Sequence, residues 1–296
     1  MNISYRRTQR RDLDQAANVV KLAFNTLRKR SGMETEHFPR GHPNSFEYFL
    51  KTDSDLTFCA WHGSKVVGYT QALVRGKQWY LAMLFVHPKY QDHKVGKELL
   101  SRVWREEPGM THSLATFTYN TQALGIYSRF GMAPIAGIVR ISVPRKKLVL
   151  PANLGLDVRP MTGRADSKFV EAMETKVRVY SRTIDWKAFL SHKNFRRLIF
   201  YKRGKRIGYA LMTEAGLIGP VGATDSSALI EVVEAAILEA SRSTLKNVVL
   251  HCPAENIALY QTALKAGFRI KEMLVFMSDK KYADLQRYIP GPLSMF

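Results

Sequence analysis

The stretch FVHPKYQDHKVGKELL, residues 85–100, runs an apolar strand into His-Pro, then a polar loop, then a helix. The loop QDHKVG holds a single glycine and exposes several amide groups immediately ahead of the helix start. The first turn of a helix has N–H groups with no partner inside the helix, and its dipole favours negative charge there. A strand–loop–helix junction of this kind is therefore a candidate anion site. Upstream, YLAMLFV (residues 80–86) reads as a long apolar strand, and downstream Val95, Leu99, Leu100 and Val103 form an apolar stripe at helical spacing.

Working outward, the same unit occurs twice. KVVGYTQAL (65–73) matches KRIGYALM (205–212), each an alternating strand entered through a turn, after HGS and KRG. NTQALGIYSRFGM (120–132) matches NIALYQTALKAGF (256–268); in both, Gly follows Asn by the length of a short helix, so Gly131 and Gly267 fall where a helix C-cap glycine belongs. ISYRRTQ and LDVRPM read as first strands, followed by amphipathic helices over 14–29 and 166–182. AGLIGPV is the shorter counterpart of YLAMLFV, and Leu229, Val232, Val233, Ala236 and Ile237 stripe the helix after it. HSLATFT and NVVLHC are the next strands, and GIVRISV and EMLVFMS close the two copies. The proline-flanked VPRKKLVLPANLG links them, giving two α+β domains over 1–147 and 148–296. The first copy carries about thirteen extra residues around RKRSGMETEHFPRGHPN, and a longer loop in one copy more often serves binding than core.

Composition narrows the function classes. The 296 residues are 46% hydrophobic and 24% charged, as in a folded chain, and no apolar run approaches a membrane span. Cys59 and Cys252 are the only cysteines and lack ligand-like neighbours, which argues against a disulfide framework or zinc site and for a reducing, cytoplasmic compartment. The net charge of +20 is spread over both halves in short clusters and favours anionic ligands. Nucleic acid is a partner compatible with that charge, but aromatic residues are not interleaved with the basic clusters as a single-strand binder needs.

The strand–Q-x-x-x-x-G–helix junction followed by N-x-x-A-x-x-x-Y-x-x-x-G-[FM] resembles the GCN5-related N-acetyltransferase superfamily, and the whole chain resembles a tandem pair with a degenerate second copy. The resemblance implies a mixed, splayed central sheet flanked by helices in each domain. It implies acetyl-CoA between the fourth and fifth strands, with its pyrophosphate on the loop 91–97: Gln91, Asp92, His93, Lys94, Val95, Gly96 and Lys97. Lys94 stands where the family has its first glycine, and Asp92 where a glycine is common; both restrict the backbone, and Lys94 offers a direct phosphate contact. Asn120 is implied to help hold the cofactor. Tyr127 is implied to protonate the departing thiolate, and a phenol within hydrogen-bond reach can do so. Backbone amides at Leu84, Phe85 and Val86 are implied to meet the thioester carbonyl oxygen through a strand bulge.

The expected activity is thus an acetyl-CoA-dependent N-acetyltransferase working by direct attack of an amine, without a metal. Cys59 lies away from the cofactor motif with no nearby His, so nothing supports an acyl-enzyme. No strand carboxylate presents itself as general base, and Glu34, Glu36, His37 and His42 in the inserted loop read more readily as solvated residues. In the second copy Ala263 matches Tyr127, Tyr260 lies one turn earlier, GPVGATDSS replaces the phosphate loop, and Asn256 suits an ordinary N-cap. Longer-chain acyl or aminoacyl transfer is an alternative within enzymes. A non-catalytic polyanion- or RNA-binding protein on a decayed fold is the alternative outside them.

Overall fold

The structure is a computed structural model that describes residues 2–152, 155–186 and 195–295. It divides into two compact units: residues 1–114 with 119–132, and residues 115–118 with 133–296.

The first unit opens with β1 (Ser4–Arg7) and α1 (Leu13–Arg30), followed by α2 (Asn44–Thr52), β2 (Thr57–His62), β3 (Lys65–Arg75), β4 (Gln78–Val86), α3 (Val95–Val103), the start of β5 (Thr111–Phe117, whose residues from Ala115 on belong to the second unit) and α4 (Thr121–Arg129). The strands lie in chain order, antiparallel from β1 to β4, and β5 runs parallel to β4. The β4–β5 ladder covers only Gln78–Leu81 against Thr111–Leu114. Ala82 is an extra residue in the pairing of β4 with β3, because Leu81 lies opposite Ala72 and Met83 opposite Gln71. A bulge of this kind bends its strand, and β4 leaves β5 just there. The splay follows from that.

Alternation along β3 and β4 then decides what each face carries. Gly68 and Thr70 with their partners Val86 and Leu84 share one face; Tyr69 and Gln71 with Phe85 and Met83 share the other. Gly68 is where α3 comes closest, since a Cβ there would sit 2.8 Å from Leu99 and 3.2 Å from Val95. The stripe read from sequence, Val95, Leu99, Leu100 and Val103, is buried along its whole length. On the opposite face α1 packs Leu13, Ala16, Ala17 and Val19 against Phe46, Cys59, Trp61 and Tyr69.

The second unit contains β6 (Ala133–Pro144), β7 (Asp157–Pro160), α5 (Gly163–Arg178), β8 (Phe195–Lys202), β9 (Lys205–Thr213), β10 (Ile218–Ala223), α6 (Ser226–Ser241), β11 (Asn247–Pro253), α7 (Ile257–Lys265), β12 (Arg269–Ser278) and β13 (Tyr288–Ile289). The strand order β13-β10-β9-β8-β7 repeats the antiparallel meander of the first unit, and Gly208 repeats the role of Gly68: a Cβ would lie 2.8 Å from Val232 of α6.

The compact units and the sequence repeats are different divisions of the chain. β6 closes the first repeat in sequence, yet it pairs on both sides inside the second unit, with β11 and with β12. Its Val139, Ile141 and Val143 belong to the same core as Leu250, Leu229 and Val232, which is reason enough for the placement.

The inserted segment is tied along α1. Lys21 donates to the carbonyls of Pro39 (2.5 Å) and Gly41 (2.6 Å), Asn25 exchanges two 2.9 Å bonds with the backbone of Glu36, and Arg28 donates to Glu34 O at 2.5 Å. His42 bridges Asp14 (2.6 Å) and Glu47 (3.2 Å). Asp14, Lys21, Asn25 and Arg28 follow helical spacing on one side of α1, so a single helix face holds the segment.

Candidate active site

Where β4 and β5 separate, the first unit has a cavity of about 620 Å³. Its walls come from both motifs: Leu84, Val86, Gln91, Asp92, Lys94, Val95, Gly96 and Lys97 on one side, Asn120 and Tyr127 on the other. Of the residues singled out in sequence, Phe85 and His93 do not line it. Phe85 points to the other face of the sheet with Tyr69, and His93 is exposed at the loop tip.

The loop adopts the backbone a glycine-rich sequence would. Asp92 and Lys94 are both left-handed, with φ of 68° and 61°, at a cost of about 1 kcal/mol each for a residue with a side chain. The two positions read from sequence as restrictions are thus the ones held left-handed. Gln91 anchors it from within, donating to Val86 O at 3.1 Å and accepting from Arg30 at 3.1 Å. Asp92 accepts from Gln122 at 2.9 Å, joining the loop to the start of α4.

Lys94 is the N-cap residue of α3 and gives it no side-chain cap. The helix therefore starts with its first N–H groups uncovered by any side chain at the cap, facing the cavity mouth. Lys94, Lys97 and Arg129 line that mouth and form no ion pair among the described residues. Against these three cations Asp92 is the single acidic lining residue.

Across the cavity, Asn120 is the N-cap residue of α4, but its carboxamide makes no cap hydrogen bond. Tyr127 is the one buried residue of α4, and burial pushes its phenol far above the usual range, so it stays protonated. Gly125 and Gly96 complete the lining. Beyond its own turn of helix, nothing among the described residues lies within 4 Å of a Cβ built at Gly125, and at Gly96 only Val86 does, at 3.6 Å. A helix-interior glycine costs up to about 1 kcal/mol relative to alanine, and here no internal contact requires it. What both positions provide is close approach to helix backbone from the cavity side.

Sequence reasoning missed Tyr90, Thr121, Gln122, Ala123, Gly125, Ile126 and Arg129 of this lining. Gly125 was the available signal, an unexplained glycine within a helical pattern. None of Glu34, Glu36, His37 or His42 lines the cavity; Glu34 and His37 are exposed as read, whereas Glu36 and His42 are half-buried and hold the inserted segment. Cys59 is fully buried beside Thr8, and burial pushes its thiol up to about 12, so it is no nucleophile. Among the described residues no group of three or more His, Cys, Asp or Glu could hold a metal, and no helix is long and apolar enough to cross a membrane.

Residues 23–132 match the family model for the acetyltransferase (GNAT) family. This segment is a GNAT domain. It contains the splayed strands, the loop 91–97 and α4, which are the parts that build the cavity. A comparison with curated proteins finds no match. Solved structures resemble the chain over nearly its full length. A putative acetyltransferase from Pyrococcus horikoshii shares 17% identity at a TM-score of 0.73, covering 97% of this chain and 92% of its own. A GCN5-related N-acetyltransferase from Sphaerobacter thermophilus shares 15% at 0.67, covering 96% and 98%. A tandem GNAT protein from the clavulanic acid biosynthesis pathway shares 14% at 0.61, covering 94% and 98%. At such identities the likeness is one of fold, and it extends the GNAT architecture to both repeats.

Proposed function

We propose that the chain transfers an acetyl group from acetyl-CoA to an amine by direct attack, using the GNAT domain of the first unit. The observation that carries this reading is the cavity between β4 and β5, where an uncapped helix N-terminus with three unpaired cations faces an unbonded asparagine and a buried, protonated tyrosine. The pyrophosphate belongs on the N–H groups of Val95, Gly96 and Lys97, with Lys94 supplementing them, and Asn120 contacts the pantetheine arm.

The amine lone pair attacks the thioester carbon, and the oxyanion that forms is met by backbone N–H groups of β4 beyond Leu81, where the ladder to β5 has ended. Collapse of the tetrahedral species breaks the C–S bond, and Tyr127 delivers its proton to the departing sulfur. The amine proton leaves to solvent, since no carboxylate side chain is assigned to receive it. A polyanion-binding role without catalysis finds less support, because it gives no part to the cavity or to the buried Tyr127 that lines it.

The test is release of free thiol from acetyl-CoA over a panel of primary amines. Amine-dependent release by the wild type, lost in Tyr127→Phe, is the expected result. Saturable acetyl-CoA binding with no release for any amine class would leave a binding protein.

A further inference from the structure

Opposite the cavity, the other face of β3 carries two polar side chains that the fold does not satisfy. Tyr69 and Gln71 are both fully buried, and neither the Tyr69 hydroxyl nor either end of the Gln71 carboxamide has a hydrogen-bond partner among the described residues. A buried donor or acceptor left unmade is costly, so three such atoms on neighbouring positions of one strand face need a reason.

The second repeat shows what satisfaction of the same position looks like. Gly68-Tyr69 of β3 corresponds to Gly208-Tyr209 of β9. The Tyr209 hydroxyl donates to Glu174 of α5, which also receives two bonds from Arg182 at 2.6 and 2.8 Å. Aligning the buried residues Val170, Met173 and Val177 of α5 with Ala16, Val19 and Ala23 of α1 puts Val20 where α5 has Glu174. Gln71 corresponds to Leu211. The first unit thus has an apolar residue where a partner stood to be supplied, and an extra polar group where the second unit has none.

The setting points to an occupant. Phe85 and Met83, directly opposite Tyr69 and Gln71, are only half-buried, so this face of β4 is open to solvent beside the residues whose other neighbours line the cavity. Only the thickness of the sheet separates the two. Met83, unbranched and pliable, stands directly opposite Gln71 and packs against the cluster that contains Tyr69.

Resting on the acetyl-transfer reading, we propose that Tyr69 and Gln71 position the acceptor, and that the acceptor is a primary amine with a neutral hydrogen-bonding group, hydroxyl or carboxamide, near its nitrogen. The carboxamide offers N–H donors at one end and a carbonyl acceptor at the other, and the phenol can do either. The surrounding cluster is apolar (Leu13, Ala16, Phe46, Cys59), and Arg75 is already held by Asp53 at 2.9 and 3.0 Å. A carboxylate on the acceptor would meet no counter-charge in this cluster.

The experiment compares thiol release with glycinamide, ethanolamine, propylamine and glycine in the wild type, Tyr69→Phe and Gln71→Leu. The wild type favours glycinamide or ethanolamine over propylamine and glycine. Each variant raises KM for the favoured amine about tenfold, with acetyl-CoA affinity unchanged and a melting temperature equal or higher, because removing an unsatisfied polar group costs the fold nothing. An unchanged amine preference, or a melting temperature that falls because these groups serve the fold, overturns the assignment. So does a wild type that prefers propylamine or glycine. If no amine turns over although acetyl-CoA binds, calorimetry of glycinamide and ethanolamine into the CoA-bound protein decides: binding lost in the variants supports the assignment, and no binding ends it. Absence of acetyl-CoA binding would instead remove the underlying reading.

Discussion

The two repeats differ most where the first leaves groups open and the second closes them from within. At the N-terminus of α3 stands Lys94, which provides no side-chain cap; at the N-terminus of α6 stands Asp225, whose carboxylate accepts from Ala228 N at 2.8 Å. That carboxylate is already the anion the helix terminus wants, and the Ala228 bond foremost holds its pKa below the usual range. Asn120 makes no cap bond, whereas Asn256 accepts from Leu259 N at 3.1 Å and donates to the carbonyls of Leu285 and Gln286. Tyr127 faces a cavity; Ala263 is buried in core. The second unit does have a cavity of about 660 Å³, lined by residues such as Arg196, Thr213 and Lys246, but Asp225, Asn256 and Ala263 are not among its lining. At these matched positions one fold yields a site or a closed core according to whether the polar groups find internal partners.

The contrast can be broken first at Tyr127. Tyr127→Phe keeps the ring and its packing, and the expected fall in kcat is about 10²- to 10⁴-fold with acetyl-CoA affinity unchanged. Because burial raises the phenol pKa, the wild type should show no alkaline loss traceable to Tyr127 below about pH 10. An unchanged kcat with chemistry rate-limiting makes Tyr127 a packing residue.

On the closed side the largest effect belongs to Glu174. Burial raises its carboxyl pKa, but Arg182 and Arg178 outweigh that and hold it below the usual range. Glu174→Gln removes the carboxylate that the buried guanidinium groups of Arg178 and Arg182 both face and should cost about 3–5 kcal/mol in denaturant unfolding, with acetyl-CoA binding in the folded protein unaffected. Removing the internal anion by Asp225→Ala should cost about 1 kcal/mol of stability. It should not create a second CoA site, because Ala263 and the bonded Asn256 remain.

Lys94→Gly sharpens the comparison on the open side. It relieves a left-handed backbone, gaining up to about 1 kcal/mol in stability, and removes a cation, weakening CoA binding by about 1–2 kcal/mol. Opposite signs in unfolding and in calorimetry are the signature. The smallest effect is at His42, whose pKa the Asp14 bond raises foremost and Glu47 further. A raised pKa stabilises fully below the unfolded value near 6.5 and fades as pH rises through the folded value. Hydrogen exchange across residues 34–42, normalised to the intrinsic base-catalysed rate, should therefore quicken as pH rises through that raised folded value.

The parts of this arrangement written in local chemistry were legible in sequence. Gly68 and Gly208 mark a close helix approach, Gly131 and Gly267 sit at φ of 88° and 92° just past their helices, and the stripes of α3 and α6 are buried as spaced. The cavity residues carried by motif, from Gln91 to Lys97 with Asn120 and Tyr127, fall together except for His93. What depends on pairing between distant segments was not legible. The bulge, expected at Leu84–Val86 from the resemblance, falls at Ala82, a position set only by register with β3; β6 takes its place from β11 and β12, and α2 follows the inserted segment behind Pro43. Tyr69 and Gln71 looked like ordinary strand residues, since only a structure reveals that a buried polar group lacks a partner.

The central claim is that one repeat is open to acetyl-CoA and the other is closed from within. Calorimetric titration of the wild type with acetyl-CoA, repeated on Asp225→Ala, tests it most directly. One equivalent per chain is expected in both proteins. Two comparable sites in the wild type would contradict it.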